Sequence, residues 1–271
     1  KIILRKKIFG YLYFKRKKLS LYLDFGYDLF LNADKGNFSF SGNGSAVNNY
    51  LIKSQELLNQ LDDSVATIED LLTGTDKVIR FTNLCQSEID DLYKKNYNSI
   101  MPDKELDYLL RASTLASILK KKEIYVYTNF EQKEIDSLNL DNKLGLTENN
   151  LLKDTLLIKY PTGDFFSYLH FSHERYLGKS VEFTRDNIDG YIIKCFKEIE
   201  GATQYSKEIK EYVLFNLFGH ILVSCGGPSS VLDSIAGKLK EKYPTSYEKI
   251  TMMEKEYKEY AKLGCDSCGN K

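Results

Sequence analysis

Two cysteines near the end of the sequence, Cys265 and Cys268, have the clearest chemical spacing in the chain. A C-x-x-C pair can form a redox-active disulfide or supply half of a zinc site. A redox pair works best at a helix N-terminus, where the helix dipole stabilises the thiolate, but this pair follows a predicted helix end at Leu263–Gly264. We therefore treat Cys265 and Cys268 as weak redox candidates and assign no catalytic residue.

The histidines raise the question of metal or nucleophilic chemistry. His170 and His173 could join the C-x-x-C pair in a zinc site, but roughly 90 residues separate the two halves. Their i,i+3 spacing also places the two rings on opposite faces of a strand. His220 and Cys225 would lie about 140° apart around a helix, which opposes a Cys–His nucleophile pair. We expect neither a metal site nor a cofactor.

The first 18 residues combine basic and aromatic side chains. They contain eight Lys or Arg and no acid, interleaved with Phe9, Tyr11, Tyr13 and Phe14. Such a run can stack bases and bind phosphates, or it can be a hairpin whose solvated lysines prevent strand aggregation. Because the chain has a net charge of zero, the remainder carries −8 and shows no second basic stripe. We favour the solvated hairpin and do not expect nucleic acid as a partner.

The composition is that of a globular protein. The 271 residues are 42% hydrophobic and 28% charged, which suits one large domain or two smaller ones. Five cysteines do not make a disulfide framework in a chain this long. No apolar run approaches the ~18 residues of a membrane span, and no signal-peptide cleavage site follows the basic start. Since the sequence opens without Met in a strand-like pattern, we expect an upstream segment.

The periodicity of the apolar residues predicts an α+β fold that positions these candidates. Residues 1–44 alternate with period two between short turns, which predicts an antiparallel β meander truncated at its N-terminus. Residues 45–264 follow the 3.6-residue period and predict a mainly helical domain, and residues 265–271 form a tail. Within the helical domain a hairpin is predicted near residues 155–171, with a helix over 165–176 as the alternative.

A glycine-rich turn, "SGNGSAV", joins the two regions. Gly42 and Gly44 form a G-x-G that could cradle a phosphate at a helix N-terminus. The third glycine of a dinucleotide fingerprint is missing, and no βαβ pattern surrounds the turn. We therefore predict that both glycines shape a turn, that Ser45 caps the following helix, and that no phosphate binds there.

The same junction carries a longer pattern, F-x-F-S-G-x-G-x-x-x-N-N-Y-L. It is matched by Phe38, Phe40, Ser41, Gly42, Gly44, Asn48, Asn49, Tyr50 and Leu51. This pattern is similar to one in the N-terminal accessory region of TlpA-like thiol:disulfide oxidoreductases of the Bacteroidetes cell envelope. The resemblance covers about 30 residues, including the upstream "LYLDFGYDLFL" (Leu21–Leu31).

The resemblance implies a small β domain leading into a helical segment, and a location in the periplasm or cell envelope. In that family, redox activity belongs to a C-terminal thioredoxin domain with a W-C-x-x-C motif. This chain contains no Trp and lacks that domain, so the family's redox residues map to no position here. The resemblance therefore implies a non-catalytic accessory or interaction module, whose partner is a protein or a downstream thioredoxin domain.

Two alternatives stay open from the sequence. One is a thiol oxidoreductase that uses Cys265 and Cys268 as its redox pair. The other is a protein that binds an anionic polymer through the basic N-terminal hairpin. The two alternatives differ in what they require, because the first needs an activated thiolate and the second needs clustered cations.

Overall fold

The computed structural model describes residues 7–14, 17–34, 37–66, 71–146, 150–159, 165, 168, 188–203, 205–224, 230–244 and 247–262. The fold is α+β, with antiparallel strands at the N-terminus followed by a mostly helical body, as the sequence predicts. The chain divides into two compact units, Lys1–Ser172 (unit 1) and His173–Lys271 (unit 2).

Unit 1 begins with two antiparallel hairpins. Strand β1 (Ile8–Phe14) pairs with β2 (Lys17–Leu23), and β3 (Asp28–Asp34) pairs with β4 (Asn37–Asn43). The register is continuous within each hairpin, so alternate residues turn toward the core, as the period of two requires. The strands form two separate two-stranded sheets, and each sheet therefore keeps an edge that is not paired with the other sheet.

Three long helices follow the hairpins: α1 (Ser45–Ala66), α2 (Leu71–Ile100) and α3 (Lys104–Asn129). Helix α1 packs against β2, β4, α2 and α3, which makes it the centre of the unit. The buried side chains of these elements include Phe9, Leu19, Tyr22, Phe40, Val47, Tyr50, Leu58, Ile89 and Leu110. Aromatic rings supply much of this core, in keeping with a sequence that has 20 Tyr, 15 Phe and no Trp.

Shorter elements complete unit 1 after α3. They are α4 (Gln132–Leu138), α5 (Leu140–Lys143), a 3₁₀ turn (Asn150–Lys153) and α6 (Leu156–Lys159). The sequence "EIYVYTNF", which suits a strand or a helix, is the last part of α3 and continues to its C-cap.

The hairpin predicted near residues 155–171 is wrong where the structure describes it. Leu156–Lys159 are helical, and so are Phe165 and Tyr168. A local cap explains the start of α6, because the Asp154 carboxylate accepts a hydrogen bond from the backbone N–H of Leu156 at 2.8 Å. The other residues of the predicted hairpin beyond 159 lie outside the described residues.

Both glycines of the junction have a positive φ, 92° at Gly42 and 87° at Gly44. Gly44 lies in the turn, as predicted, whereas Gly42 belongs to β4 and pairs with Leu29, so the prediction that it shapes the turn is wrong. Helix α1 includes Ser45 as its first residue, so the N-cap position falls on Gly44 and the prediction of a Ser45 cap is wrong by one residue. A Cβ atom at Gly44 would lie 2.2 Å from the Tyr27 ring, so packing excludes a serine cap there.

Unit 2 consists of four helices over its described residues. They are α7 (Ile188–Gly201), α8 (Lys207–Ser224), α9 (Ser230–Lys242) and α10 (Tyr247–Lys262). Its buried core includes Cys195, Ile199, Leu214, Phe218 and Ile250. The predicted mainly helical character of this part of the chain is confirmed.

Candidate anion-binding cleft

Two adjacent asparagines of α1 hold the two hairpins in place. The Asn48 amide accepts a hydrogen bond from the Tyr22 N–H at 2.8 Å and donates to the Tyr22 C=O at 2.9 Å. Asn49 does the same for Phe40, at 2.7 and 2.8 Å. Each asparagine amide therefore takes the place that a peptide group of a further paired strand would occupy. Asn48 does so beside β2, and Asn49 does so beside β4. The Asn-Asn pair of the family-like pattern thus has a defined structural role.

A cleft of about 500 Å³ lies beside this junction. That volume falls within the range of small-molecule and short-peptide sites. One wall comes from β2 and another from Phe38 of β4, while α1 and α3 contribute the helical sides. The lining residues are Tyr11, Lys17, Lys18, Leu19, Ser20, Phe38, Ile52, Gln55, Glu56, Leu58, Asn59, Asp62, Ser117, Lys120 and Lys121.

Four lysines of this lining, which we call the cleft lysines, come from two distant parts of the sequence. Lys17 and Lys18 belong to β2, and Lys120 and Lys121 belong to α3. Two acids, Glu56 and Asp62, also line the cleft, which leaves a net charge of +2. The cleft is therefore positive in a chain whose overall charge is zero, and it attracts anions.

Aromatic rings position the two strand lysines. The Lys18 Nζ lies 3.6 Å from the centroid of the Tyr11 ring, and the Lys17 Nζ lies 5.2 Å from the centroid of Phe38. Cation–π attraction of this kind restricts a flexible lysine near an exposed ring at a gain of about 0.5–1 kcal/mol. Tyr11 of the basic run and Phe38 of β4 thus hold the two strand lysines at the cleft.

The helical side of the cleft already contains one lysine–carboxylate pair. Lys121 of α3 forms an ion pair with Asp62 of α1, and the Lys121 side chain is 15% exposed. An anionic ligand would compete with Asp62 for this cation. The cleft can consequently bind and orient a carboxylate or phosphate through its lysines.

A second charged cluster fixes the start of β1 to α3. Lys7 Nζ lies 2.7 Å from Asp103, 3.4 Å from Asp24 and 3.9 Å from Glu105. The hydrogen bond from Lys7 lowers the pKa of the Asp103 carboxyl, and the same bond raises the pKa of Lys7. Asp103 also accepts the N-capping hydrogen bond of Leu106 at 2.7 Å. One lysine and three carboxylates leave this cluster with a net charge of −2, and its ion pairs anchor the start of β1 to α3.

The residues predicted for redox and metal chemistry are placed only in part. Cys265, Cys268, Cys225, His170 and His173 lie outside the described residues, so their roles stay predictions. His220 belongs to α8. Within the part of the chain that is described, no group of three His, Cys, Asp or Glu side chains is arranged to hold a metal ion.

Two further cysteines, Cys85 and Cys195, are buried and are not joined in a disulfide. Burial, with smaller effects from Glu88 and Asp62, raises the pKa of Cys85 to about 11. A thiol with so high a pKa is protonated near neutral pH and is a poor nucleophile. Cys85 is therefore a core residue, and its sulfur points toward the C=O of Leu57 at 3.7 Å.

Sequence reasoning missed the α3 side of the cleft. Lys120 and Lys121 are part of a three-lysine run at residues 120–122, which has the appearance of an ordinary solvated helix face. Lys122 differs, because its ammonium donates to the C=O of Leu144 at 3.0 Å. The three-lysine run was the one available signal, and nothing in the spacing along the chain connects it with Lys17 and Lys18.

Comparison with protein-family models, curated proteins and solved structures finds no match for this chain. Among the described helices, none combines the length and apolar character that crossing a membrane requires. The cleft and the pattern at the strand–helix junction are therefore the features of the chain that bear on its function.

Proposed function

We propose that this chain is a non-catalytic interaction module that binds an anionic ligand in the cleft of unit 1. The observation that carries the proposal is the convergence of the four cleft lysines on one cavity of about 500 Å³. The sequence suggested a basic hairpin without a second basic stripe, and α3 supplies that second group of cations. The proposal thus joins the interaction module with anion binding by the N-terminal hairpin.

Binding of fluorescein-labelled poly-L-glutamate, followed by fluorescence anisotropy, tests this proposal. Replacing Lys18 or Lys120 with Gln should each raise the Kd about 2- to 5-fold, the range of single exposed ion pairs. Asp62→Asn should lower the Kd, because it frees Lys121 for the ligand. Lys53→Gln is the matched control, since Lys53 is exposed on α1 and does not line the cleft.

The salt dependence gives a second readout. An increase from 50 to 200 mM salt shortens the Debye length from about 14 to 7 Å and should weaken binding steeply. Binding that Lys53→Gln reduces as much as Lys18→Gln, or that Asp62→Asn weakens, would contradict a ligand in this cleft.

We further propose that the module is a non-catalytic accessory region of a TlpA-like system in the cell envelope. The support is the family-like pattern, of which Phe40, Gly44, Asn48 and Asn49 meet at one junction. Titration calorimetry against the thioredoxin domain of a TlpA-like oxidoreductase tests this setting, with a thioredoxin of another family as the control. Saturable binding to the first domain alone is expected, and equal or absent binding to both would contradict it.

A thiol oxidoreductase is the competing function, and it requires the Cys265–Cys268 pair. Insulin reduction by the full chain, with Cys265→Ser as the matched variant, decides between the two. The interaction module predicts a rate at the uncatalysed background for both proteins. Catalysis that Cys265→Ser abolishes would favour the enzyme.

A further inference from the structure

The cleft runs along an edge of β2. Lys17, Lys18, Leu19 and Ser20 are consecutive residues of this strand, and all four line the cleft. Consecutive side chains of a strand point to opposite faces, so a cavity that touches all four must reach around an edge. Because β1 pairs with β2 along one edge, the cleft, to which Tyr11 of β1 also contributes, reaches the opposite edge, which we call the outer edge of β2.

Asn48 identifies the backbone groups that point to the outer edge. Its amide bonds the N–H and C=O of Tyr22, and it approaches from α1 rather than from β1. In an antiparallel pair, the backbone groups of every second residue point to the same edge. The N–H and C=O groups of Ser20 and Lys18 therefore point to the outer edge as well, along the cleft.

We infer that the cleft binds an extended acidic peptide, which adds to the outer edge of β2 and pairs with the backbone of Lys18 and Ser20. This inference rests on the proposed function and specifies its ligand. Strand addition of this kind obtains affinity from main-chain hydrogen bonds and specificity from pockets for alternate side chains. Asn48 already makes the first pair of such hydrogen bonds at Tyr22, and the peptide continues the series.

The two sides of the cleft specify the side chains of the peptide. The four cleft lysines favour Glu or Asp through charge complementarity. Ile52 and Leu58, which are buried residues of α1 in the same lining, favour apolar side chains where the peptide faces α1. The preferred ligand consequently combines acidic and apolar residues in an extended chain.

Amide hydrogen exchange of the full chain, read by NMR, tests the strand addition directly. The probe is a heptapeptide that alternates Glu and Val. On saturation, the amide protons of Lys18 and Ser20 should exchange at least about 10-fold more slowly, because they become hydrogen-bonded. The Tyr22 amide is the internal control, since Asn48 already bonds it and its exchange should change little.

Backbone methylation of the probe gives an independent test. Only one of the two alternating sets of peptide N–H groups can face β2, so N-methylation of that set should raise the Kd about 10-fold or more. N-methylation of the other set should change the Kd by less than about 3-fold. A peptide in which Lys replaces every Glu should not bind.

The outcomes separate this inference from the function on which it rests. If poly-L-glutamate binding follows the cleft lysines but Lys18 and Ser20 gain no protection, strand addition is wrong and the anion-binding module stands. Equal effects of the two methylated peptides would also contradict the inference that an acidic peptide adds to β2. Preferential binding of a single-stranded oligonucleotide over the heptapeptide would contradict it as well. If no anion binds, both proposals fail.

Discussion

At the scale of single residues, two neighbouring asparagines each bond the backbone of one strand residue but differ in how deeply they are buried. Asn48 is 0% exposed, whereas Asn49 is half-buried. Each satisfies one N–H and one C=O of a strand, and a buried backbone group left without a partner costs about 1–3 kcal/mol. Asn48 also donates to the C=O of Gly44 at 2.9 Å, so its deeper burial and its additional hydrogen bond should both make it the costlier residue to lose.

We predict that Asn48→Ala lowers the free energy of unfolding by about 2–4 kcal/mol, because it leaves two buried backbone groups of Tyr22 without hydrogen-bond partners. Asn49→Ala should cost less, since water can reach the groups of Phe40. Urea denaturation of both variants measures the difference, and Asn98→Ala, at an exposed position of α2, is the control. An equal cost for both asparagines would show that burial does not decide their contribution.

Asp103 combines an ion pair and a helix cap, which substitutions can separate. Asp103→Ala removes both and should cost about 1 kcal/mol at neutral pH, the usual value of an N-cap. Asp103→Asn keeps an oxygen for the Leu106 N–H but loses the charge beside Lys7, and should cost only a few tenths of a kcal/mol. Urea titrations at pH 7 measure both values, with the exposed Asp63→Asn as the control.

The pH dependence of the Asp103→Asn effect follows from the lowered pKa of the carboxyl. A depressed pKa in the folded state stabilises the protein above the unfolded-state pKa of about 3.9, and this stabilisation disappears as the pH falls through the folded-state value. The difference between wild type and Asp103→Asn should be constant from about pH 5 to 8 and should vanish in stronger acid. A difference that grows as the pH falls would contradict the ion pair with Lys7.

At the scale of elements, Gly42 lets β4 pair closely with β3 just before the turn into α1. Its φ is +92°, and a Cβ at this position would lie 2.0 Å from the backbone oxygen of Asp28. Gly26 is the matched control, because its φ is +77° and no atom lies within 4 Å of its Cβ position. The two glycines share a positive φ and differ in the space around them.

We predict that Gly42→Ala destabilises the protein distinctly more than Gly26→Ala. The control should cost about 1–2 kcal/mol, which is the penalty of a left-handed residue with a side chain. Gly42→Ala should add the cost of moving the backbone of β3, and its hairpin should lose amide protection first. Thermal unfolding of the two variants measures the difference, and equal melting temperatures would refute the close approach to Asp28.

The elements themselves could largely be predicted from the sequence, because periodicity is a local property. The period of two gave the β region, and the 3.6-residue period gave the helices. Local pattern failed at residues 156–159, where the Asp154 cap starts a helix. It was ambiguous at Glu123–Phe130, where aromatic and branched residues suit a strand but the buried Tyr125 and Val126 belong to α3.

The candidate site was harder to predict from the sequence, because periodicity reports only local structure. Lys18 and Lys121 lie about 100 residues apart, and no local rule joins them. The sequence indicated the basic hairpin and the Asn-Asn pattern, but their roles depend on which strand edge meets α1. Only the tertiary arrangement brings α3 to the outer edge of β2 and so creates the cleft.

At the scale of the whole molecule, the division into two units separates the candidate site from the C-terminal helices. Every residue of the cleft lining falls between Tyr11 and Lys121, within Lys1–Ser172. Unit 1 also has its own buried core of aromatic and aliphatic residues. A compact unit with its own core is expected to fold independently of the rest of the chain.

We therefore predict that a fragment of residues 1–172 folds and binds labelled poly-L-glutamate with a Kd within about 2-fold of the full chain. Residues 173–271 should not bind, because none of the described residues in this range lines the cleft. Circular dichroism and urea denaturation establish whether each fragment is folded before anisotropy is measured. Lys18→Gln in the fragment should weaken binding by the same factor as in the full chain. A folded fragment with Kd raised more than about 10-fold, or binding by residues 173–271, would place the anion site outside unit 1.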